Sequence, residues 1–425
     1  MTPNWTTVMV RELVASGEAE IKTGPFGTQL HASDYVESGT PVLNARNIGF
    51  GDIRPEKLEY ISDETVQRLA SHLLKSGDII FGRKGTVERH AFIRPEHERW
   101  FQGTDCLRLR LKGPTIDARF ASYCLLIDSH KQWIMNQASH GATMTSLNQD
   151  IVSRIMLPAP PLPTQRKIAA ILSAYDDLIE VNTRRIALLE EMARGLYREW
   201  FVRFRFPGHE GVRMVESAVG VVPEGWEVTR LGDACAIVMG QSPSSEFYNE
   251  SGQGLPFHQG VTDFGHLFPK DRVFCTVENR LANDGDILFS VRAPVGRINI
   301  ANKKIVIGRG LSAIRNKAGH QAFVYSQLKH IFQEEDIMGG GTIFKAVTKD
   351  DVHGIKLLWP PESLIADFEQ VANPILSSLG NLTARNANLR RTRDLLLPRL
   401  VAGEVGVDSF RAQNVWDSVG DIRPK

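Results

Sequence analysis

Two hydrophobic patterns alternate along the chain. Over residues 1–157 and 220–360, apolar residues come in short β-prone runs separated by Gly and Asn turns, with helices expected at 120–138 and 321–334. Strands and helices mixed in this way predict an α+β fold for each half. Between and after these halves lie long stretches with apolar residues three and four apart, the spacing of a coiled-coil seam. Over 164–206 the stripe is Ile168, Ile171, Tyr175, Leu178, Asn182, Arg185, Leu189, Met192 and Leu196. Over 362–403 it is Phe368, Val371, Ile375, Ser378, Leu382, Arg385, Leu389, Thr392 and Leu396. Arg185 and Arg385 interrupt equivalent rungs, and a polar seam residue commonly fixes register, so the two helices are expected to pair with each other. Thr164 and Ser363 are the expected N-caps, following Pro160-Pro161-Leu162-Pro163 and Pro360-Pro361, and Pro207 and Pro398 the expected stops. A helix of about 35 residues rises about 50 Å, the dimension of a spacer.

The halves repeat one another at an offset of roughly 200 residues. Trp5, Val8, Glu12 and Leu13 open the first, and Trp226, Val228, Arg230 and Leu231 the second. Gly77-Asp78-Ile79-Ile80-Phe81 returns as Gly285-Asp286-Ile287-Leu288-Phe289, a Gly-Asp turn feeding an apolar strand. Near each end, Gly141-Ala142-Thr143-Met144 and Leu157-Pro158 correspond to Gly341-Thr342-Ile343-Phe344 and Trp359-Pro360.

The 425 residues, 42% hydrophobic, suffice for two or more cores. Fifty Lys and Arg against 49 Asp and Glu leave a net charge of +1, so any contact with a polyanion must come from local patches. Cys106, Cys124, Cys235 and Cys275 stand far apart, which argues against a zinc knuckle or a disulfide framework and for reduced core thiols. The first ten residues lack a basic region leading into an apolar run, and no stretch suits a bilayer, so a cytoplasmic protein without membrane contact is expected.

Local basic sets do occur. The first half gathers Arg83, Lys84, Arg89, Arg94, Arg99, Arg108, Arg110 and Lys112. The second carries Arg292, Arg297, Lys303, Lys304, Arg309, Arg315 and Lys317, with no acidic residue between positions 287 and 317. Such sets suit phosphate contacts, and Asn44, Arg46, Asn47, Gln259 and Thr143 on nearby loops are candidates for base edges. The candidate DNA contacts are Asn44, Arg46, Arg83, Lys84, Arg89, Arg108, Thr143, Gln259, Arg292, Arg297, Lys303, Lys304, Arg309 and Lys345. No catalytic motif is present: Gly339-Gly340-Gly341-Thr342 lacks the lysine of a phosphate loop, no Asn-Pro-Pro-aromatic tetrapeptide occurs, and the histidines form no zinc-binding pattern. His31, His72, His97, His258 and His266 are expected on the surface or in turns, and Asp78 and Asp286 are explained by their turns.

In order and spacing, these features resemble the specificity subunits of type I restriction-modification systems over nearly the whole chain. Pro163-Thr164-Gln165-Arg166-Lys167-Ile168 is similar to the family's Pro, Glu-Gln, basic, Ile signature, with Thr164 in the place of Glu. Leu395-Leu396-Leu397-Pro398-Arg399-Leu400-Val401-Ala402-Gly403-Glu404 resembles its closing motif, while Ile365-Ala366-Asp367-Phe368 departs from the signature in the second copy. The resemblance implies two pseudo-repeated α/β target-recognition domains, at 1–163 and 207–361 with a linker at 207–225. These would be separated by two long antiparallel coiled-coil helices at 164–206 and 362–403, followed by a tail at 404–425 in which Trp416 is a docking candidate. Each domain would read half of a bipartite, asymmetric site in double-stranded DNA, while the helix pair sets the spacer and docks two methyltransferase subunits. S-adenosylmethionine, ATP and magnesium would then belong to those subunits and to restriction and translocase partners, leaving this chain non-catalytic, without metal or cofactor. The alternative is a duplicated coiled-coil adaptor that reads no DNA.

Overall fold

Ile79, Ile80 and Phe81 are fully buried in succession, as are Ile287, Leu288 and Phe289. Each strand is covered on both faces, so polar residues have no solvent side onto which to alternate. A computed structural model describes residues 5–139, 145–332, 346–407 and the backbone of 337–338 and 342–343. The chain forms two compact units, Met1–Ile179 with Leu389–Lys425, and Glu180–Asn388. Each contains one globular half and part of both long helices.

Both units repeat one topology. In the first, strands Ala19–Thr23, Cys106–Leu111, Ile79–Gly82 and His90–Phe92 lie side by side, with Phe50–Gly51 added at the edge. In the second, Cys235–Met239, Leu311–Asn316, Ile287–Ser290 and Ile298–Ile300 take the same order. A second sheet also recurs. Tyr35–Val36, Glu59–Ile61, Thr40–Leu43 and Phe101–Gln102 match Tyr248–Asn249, Phe274–Cys275, Leu255–His258 and Ile305–Ile307, the last two of each set running parallel, and Leu281–Ala282 adds a fifth, antiparallel strand to the second sheet. The opening strands Thr7–Met9 and Glu227–Arg230 pair antiparallel with the exit strands Met156–Pro158 and Lys356–Trp359.

The repeated Gly-Asp turns are built alike. Gly77 and Gly285 have φ of 93° and 82°, a region glycine enters without strain. Their amides donate to Ile93 O and Ala301 O, both at 2.8 Å. Asp78 and Asp286 then close the turns by accepting from Lys75 N and Asn283 N, and each carboxylate takes an arginine from the next strand, Arg110 or Arg315. These aspartates are structural.

The expected helix at 120–138 is two, Ala118–Leu125 and Asp128–Ser139, broken at Leu126 and Ile127. The expected 321–334 helix is Gln321–Ile331. The long helices are Leu162–Tyr197 and Glu362–Val401, of 36 and 40 residues. Thr164 and Ser363 lie inside them rather than capping them. The Pro161 carbonyl accepts from Thr164 N and Gln165 N, and the Pro361 carbonyl from Leu364 N and Ile365 N, so each helix starts directly after its proline. The departure at Ile365-Ala366-Asp367-Phe368 therefore leaves the helix start unchanged. In the first copy Gln165, fully buried, ties helix to domain by donating to Thr115 O and Pro160 O and accepting from Asp117 N. Ile365, also fully buried, stands at the matching place in the second.

Pro207 and Pro398 do not stop the helices. The first passes at Tyr197 into a wider turn, Arg198–Val202, and the second continues through Pro398 to Val401. Burial of Leu397, Leu400 and Val401 in the first unit's core offsets the hydrogen bond that the proline cannot make.

The helices pair antiparallel. In the first unit Tyr175 and Ile179 pack with Leu389 and Leu396; in the second, Ile186 packs with Leu379, Ile375 and Leu382. The seam differs in phase from the sequence expectation at alternate rungs. Buried positions are Ile168, Leu172, Tyr175, Ile179, Asn182 and Ile186 in one helix, and Phe368, Ala372, Leu379, Asn386 and Leu389 in the other. Ile171, Leu178, Leu189, Leu196, Ile375, Leu382 and Leu396 are half-buried beside them. Met192 and Val371, expected in the seam, are instead 50% and 45% exposed. Arg185 is exposed, and the polar rung is Asn182 with Asn386.

The four cysteines are free and buried. Burial pushes the Cys106 and Cys235 thiols up to about 12 and about 11.

Candidate nucleic-acid interface

At one edge of each domain the same loops converge through the same backbone bonds. In the first, Gly24 follows strand Ala19–Thr23 and its amide donates to Cys106 O, while Gly103 N donates to Leu43 O. Arg83 N donates to Asp105 O, and Leu147 N to Arg83 O. The second domain repeats each bond: Gly240 N to Leu311 O, Gly308 N to His258 O, Val291 N to Gly310 O and Val347 N to Val291 O. Lys84 and Arg292 occupy equivalent places, bridged to Ser146 and Ala346. Two pairs of glycines permit this convergence. A Cβ on Gly24 would lie 2.0 Å from Gly103 O, and one on Gly240 would lie 2.1 Å from Gly308 O.

Asn44 and Gln259 sit at this rim in matching positions, each leaving its strand beside the glycine: a Cβ on Gly103 would lie 2.3 Å from Asn44 Oδ1, and one on Gly308 2.8 Å from Gln259 Cα. Asn44 donates through Nδ2 to Glu59 at 2.6 Å, and Arg46 pairs with the same carboxylate at 2.8 Å. Gln259 accepts instead from Ser242 Oγ at 3.0 Å, and Ser242 in turn accepts from Arg309 N. Lys84 pairs with Asp105 at 3.4 Å. Arg292 and Arg309 are exposed and have no carboxylate partner among the described residues. The two rims share a backbone and differ in side chains and charge.

Other candidates fall into separate groups. Arg83 and Arg89 are half-buried on the hairpin loop, Arg89 stacking over the half-exposed Phe50 ring at 5.3 Å, and Arg297 is exposed in the corresponding second loop. Arg108 is 1% exposed and bound to Glu20 and to the carbonyls of Ser71 and Leu73, which removes it from any DNA-facing surface; its strand position points inward. Lys303 and Lys304 follow strand Ile298–Ile300 and pair with Asp271 and Glu278. Asn47 is fully buried and braces its own loop through Arg54 O and Glu56 O. Thr143 and Lys345, like Trp416 of the tail, lie outside the described residues.

Two of the expected surface histidines are interior. His258 is fully buried, with Asp271 3.5 Å away, and burial lowers its pKa. His72 is buried too, its pKa brought down to about 4 by desolvation and by the nearby Lys22 and Arg108. Sequence reasoning passed over Glu59, Asp105, Ser242 and the four rim glycines. The glycines carried a signal, because Gly24 and Gly240, and Gly103 and Gly308, recur at matching places in the repeat.

The profile of the type I restriction modification DNA specificity domain matches residues 27–191 and again 223–390. The chain belongs to this family. Each match takes in most of a rim and most of the helix that follows, while Gly24 and strand Ala19–Thr23 precede the first match. The chain is 34% identical over 330 residues to the type I restriction enzyme MjaX specificity subunit of Methanocaldococcus jannaschii, covering 76% of this chain and 77% of that one. It is 24% identical to the type I restriction enzyme HindI specificity subunit of Haemophilus influenzae, covering 84% and 94%. Its fold is similar to the type I restriction-modification S subunit from M. genitalium, with a TM-score of 0.63 at 15% identity, covering 93% of this chain and 96% of that one. In this specificity-domain family member, each copy of the repeat builds its own rim and supplies one of the two long helices.

Proposed function

We propose that this chain is the DNA-reading subunit of a type I restriction-modification complex, in which each domain reads one half of a bipartite, asymmetric site. The observation that carries this is the rim built twice on one set of backbone bonds, holding Asn44, Arg46 and Lys84 in one copy and Gln259, Arg292 and Arg309 in the other. Asn, Gln and Arg are the side chains suited to purine edges in the major groove. The antiparallel helices supply the spacer between half-sites. Val181, Leu188 and Met192, exposed on one helix, suit the docking of methyltransferase subunits. In this reading S-adenosylmethionine, ATP and magnesium are held by partner subunits, two of them methyltransferases, and this chain supplies specificity alone.

Mobility-shift titration of the chain with its modification subunit tests the reading. Binding that prefers one sequence over bulk duplex, and weakens steeply as salt rises, supports it. A stable complex that shifts no DNA at any salt concentration supports a protein adaptor instead.

A further inference from the structure

We propose that Glu59 sets the half-site selectivity of the first domain by holding Asn44 and Arg46 in one pose. It acts as a positioning residue, and the proposal rests on the reading that the rim meets DNA. Glu59 opens strand Glu59–Ile61 and lies opposite Val42, two residues before Asn44. One carboxylate oxygen accepts from Asn44 Nδ2 at 2.6 Å, and the other forms an ion pair with Arg46 Nη2 at 2.8 Å. On its other side, Asn44 Oδ1 rests where Gly103 has no side chain. Both candidate readers of the loop are thus tied to one acid, which is 43% exposed.

A carboxylate on a surface that receives a polyanion opposes affinity. It can still serve selectivity, because specificity is a difference between affinities and can be gained by penalising wrong partners. Held in place, an Asn amide and an Arg guanidinium match adenine and guanine edges; released, both sample poses that suit any base. The loop backbone does not depend on Glu59, since buried Asn47 accepts from Asn44 N and donates to Arg54 O and Glu56 O. The second domain solves the same problem without charge, through Ser242 on Gln259. Its half-site is therefore an internal control.

The test is selection from duplex pools with either half-site randomised, using the full chain in complex with its modification subunit, as wild type, Glu59→Gln, Asn44→Ala and Arg46→Ala. Glu59→Gln is expected to lower discrimination about five- to a hundredfold at positions of one half-site. Those positions should be the ones relaxed by Asn44→Ala or Arg46→Ala. The other half-site should be unchanged, and bulk duplex should bind as tightly or more tightly. Unchanged selectivity in Glu59→Gln, or equal loss in both halves, overturns the proposal while leaving DNA reading intact. A wild type that selects no sequence overturns the DNA-reading assignment itself.

Discussion

Asn182 donates to Asn386 Oδ1 at 3.0 Å inside the helix pair, and Asn386 donates in turn to Thr183 Oγ1 at 3.2 Å. Both asparagines are buried between the helices. Two amides that satisfy each other at one rung penalise every slipped register, since a shift leaves each facing an aliphatic neighbour. Asn182→Leu alone is expected to cost about 1–3 kcal/mol, because the buried Asn386 Oδ1 loses the amide donor of Asn182. Replacing both with Leu should return stability to the wild-type level or above while loosening the register. Denaturant unfolding of the two single variants and the double variant checks this.

The seam also shows where sequence reading stops. Pairs such as Ile171 and Leu172, or Leu178 and Ile179, are both apolar, so spacing alone fits either phase. The choice is made at Asn182 and Ile186, where packing against the partner helix buries Ile186 and leaves Arg185 in solvent. The repeat, both Gly-Asp turns and the existence of the helices were legible because they are local patterns written twice. Arg108 was not. Alternation along its strand could not show that its guanidinium meets Glu20 and two carbonyls from distant parts of the chain. Lys303 and Lys304 continue the basic set of the second half in sequence, yet each has a carboxylate partner, Asp271 or Glu278.

The repeated acid-arginine pairs should differ in importance. Asp78 and Arg110 are almost enclosed, at 1% and 16% exposure, so Asp78→Ala leaves a guanidinium without its counter-charge and should cost about 3–5 kcal/mol. Arg315 is half-exposed, and water can take over much of the role of Asp286. Asp286→Ala should cost clearly less, as read by denaturant unfolding of each variant.

Charge at the two rims is unequal, and salt dependence should reveal it. Arg292 and Arg309 lack carboxylate partners among the described residues, while Lys84 and Arg46 are paired. If both arginines meet phosphate, Arg292→Ala with Arg309→Ala should lower the slope of log affinity against log salt by nearly 2, at about 0.9 per contact. Lys303→Ala with Lys304→Ala should leave the slope unchanged.

Acid should destabilise the first unit before its carboxylates titrate. His90 is fully buried against Ser122 Oγ, and burial holds its pKa down at about 3; that of His72 is about 4. Both are neutral in the folded state and bind protons more readily when unfolded. The unfolded chain therefore gains protons first as pH falls below about 6.5, and stability drops from there toward pH 4. Urea titrations between pH 7 and 4 should show this decline, and His90→Gln should flatten it.

Single-molecule mapping of methylated adenines, in cells that co-express this chain with its modification subunit, tests the central claim most directly. One asymmetric motif in two parts with a fixed gap is the predicted result, with Asn44→Ala altering one part and Arg292→Ala weakening methylation without altering the gap. Methylation in a single uninterrupted motif, or a stable complex that methylates no defined sequence, would contradict reading by two domains.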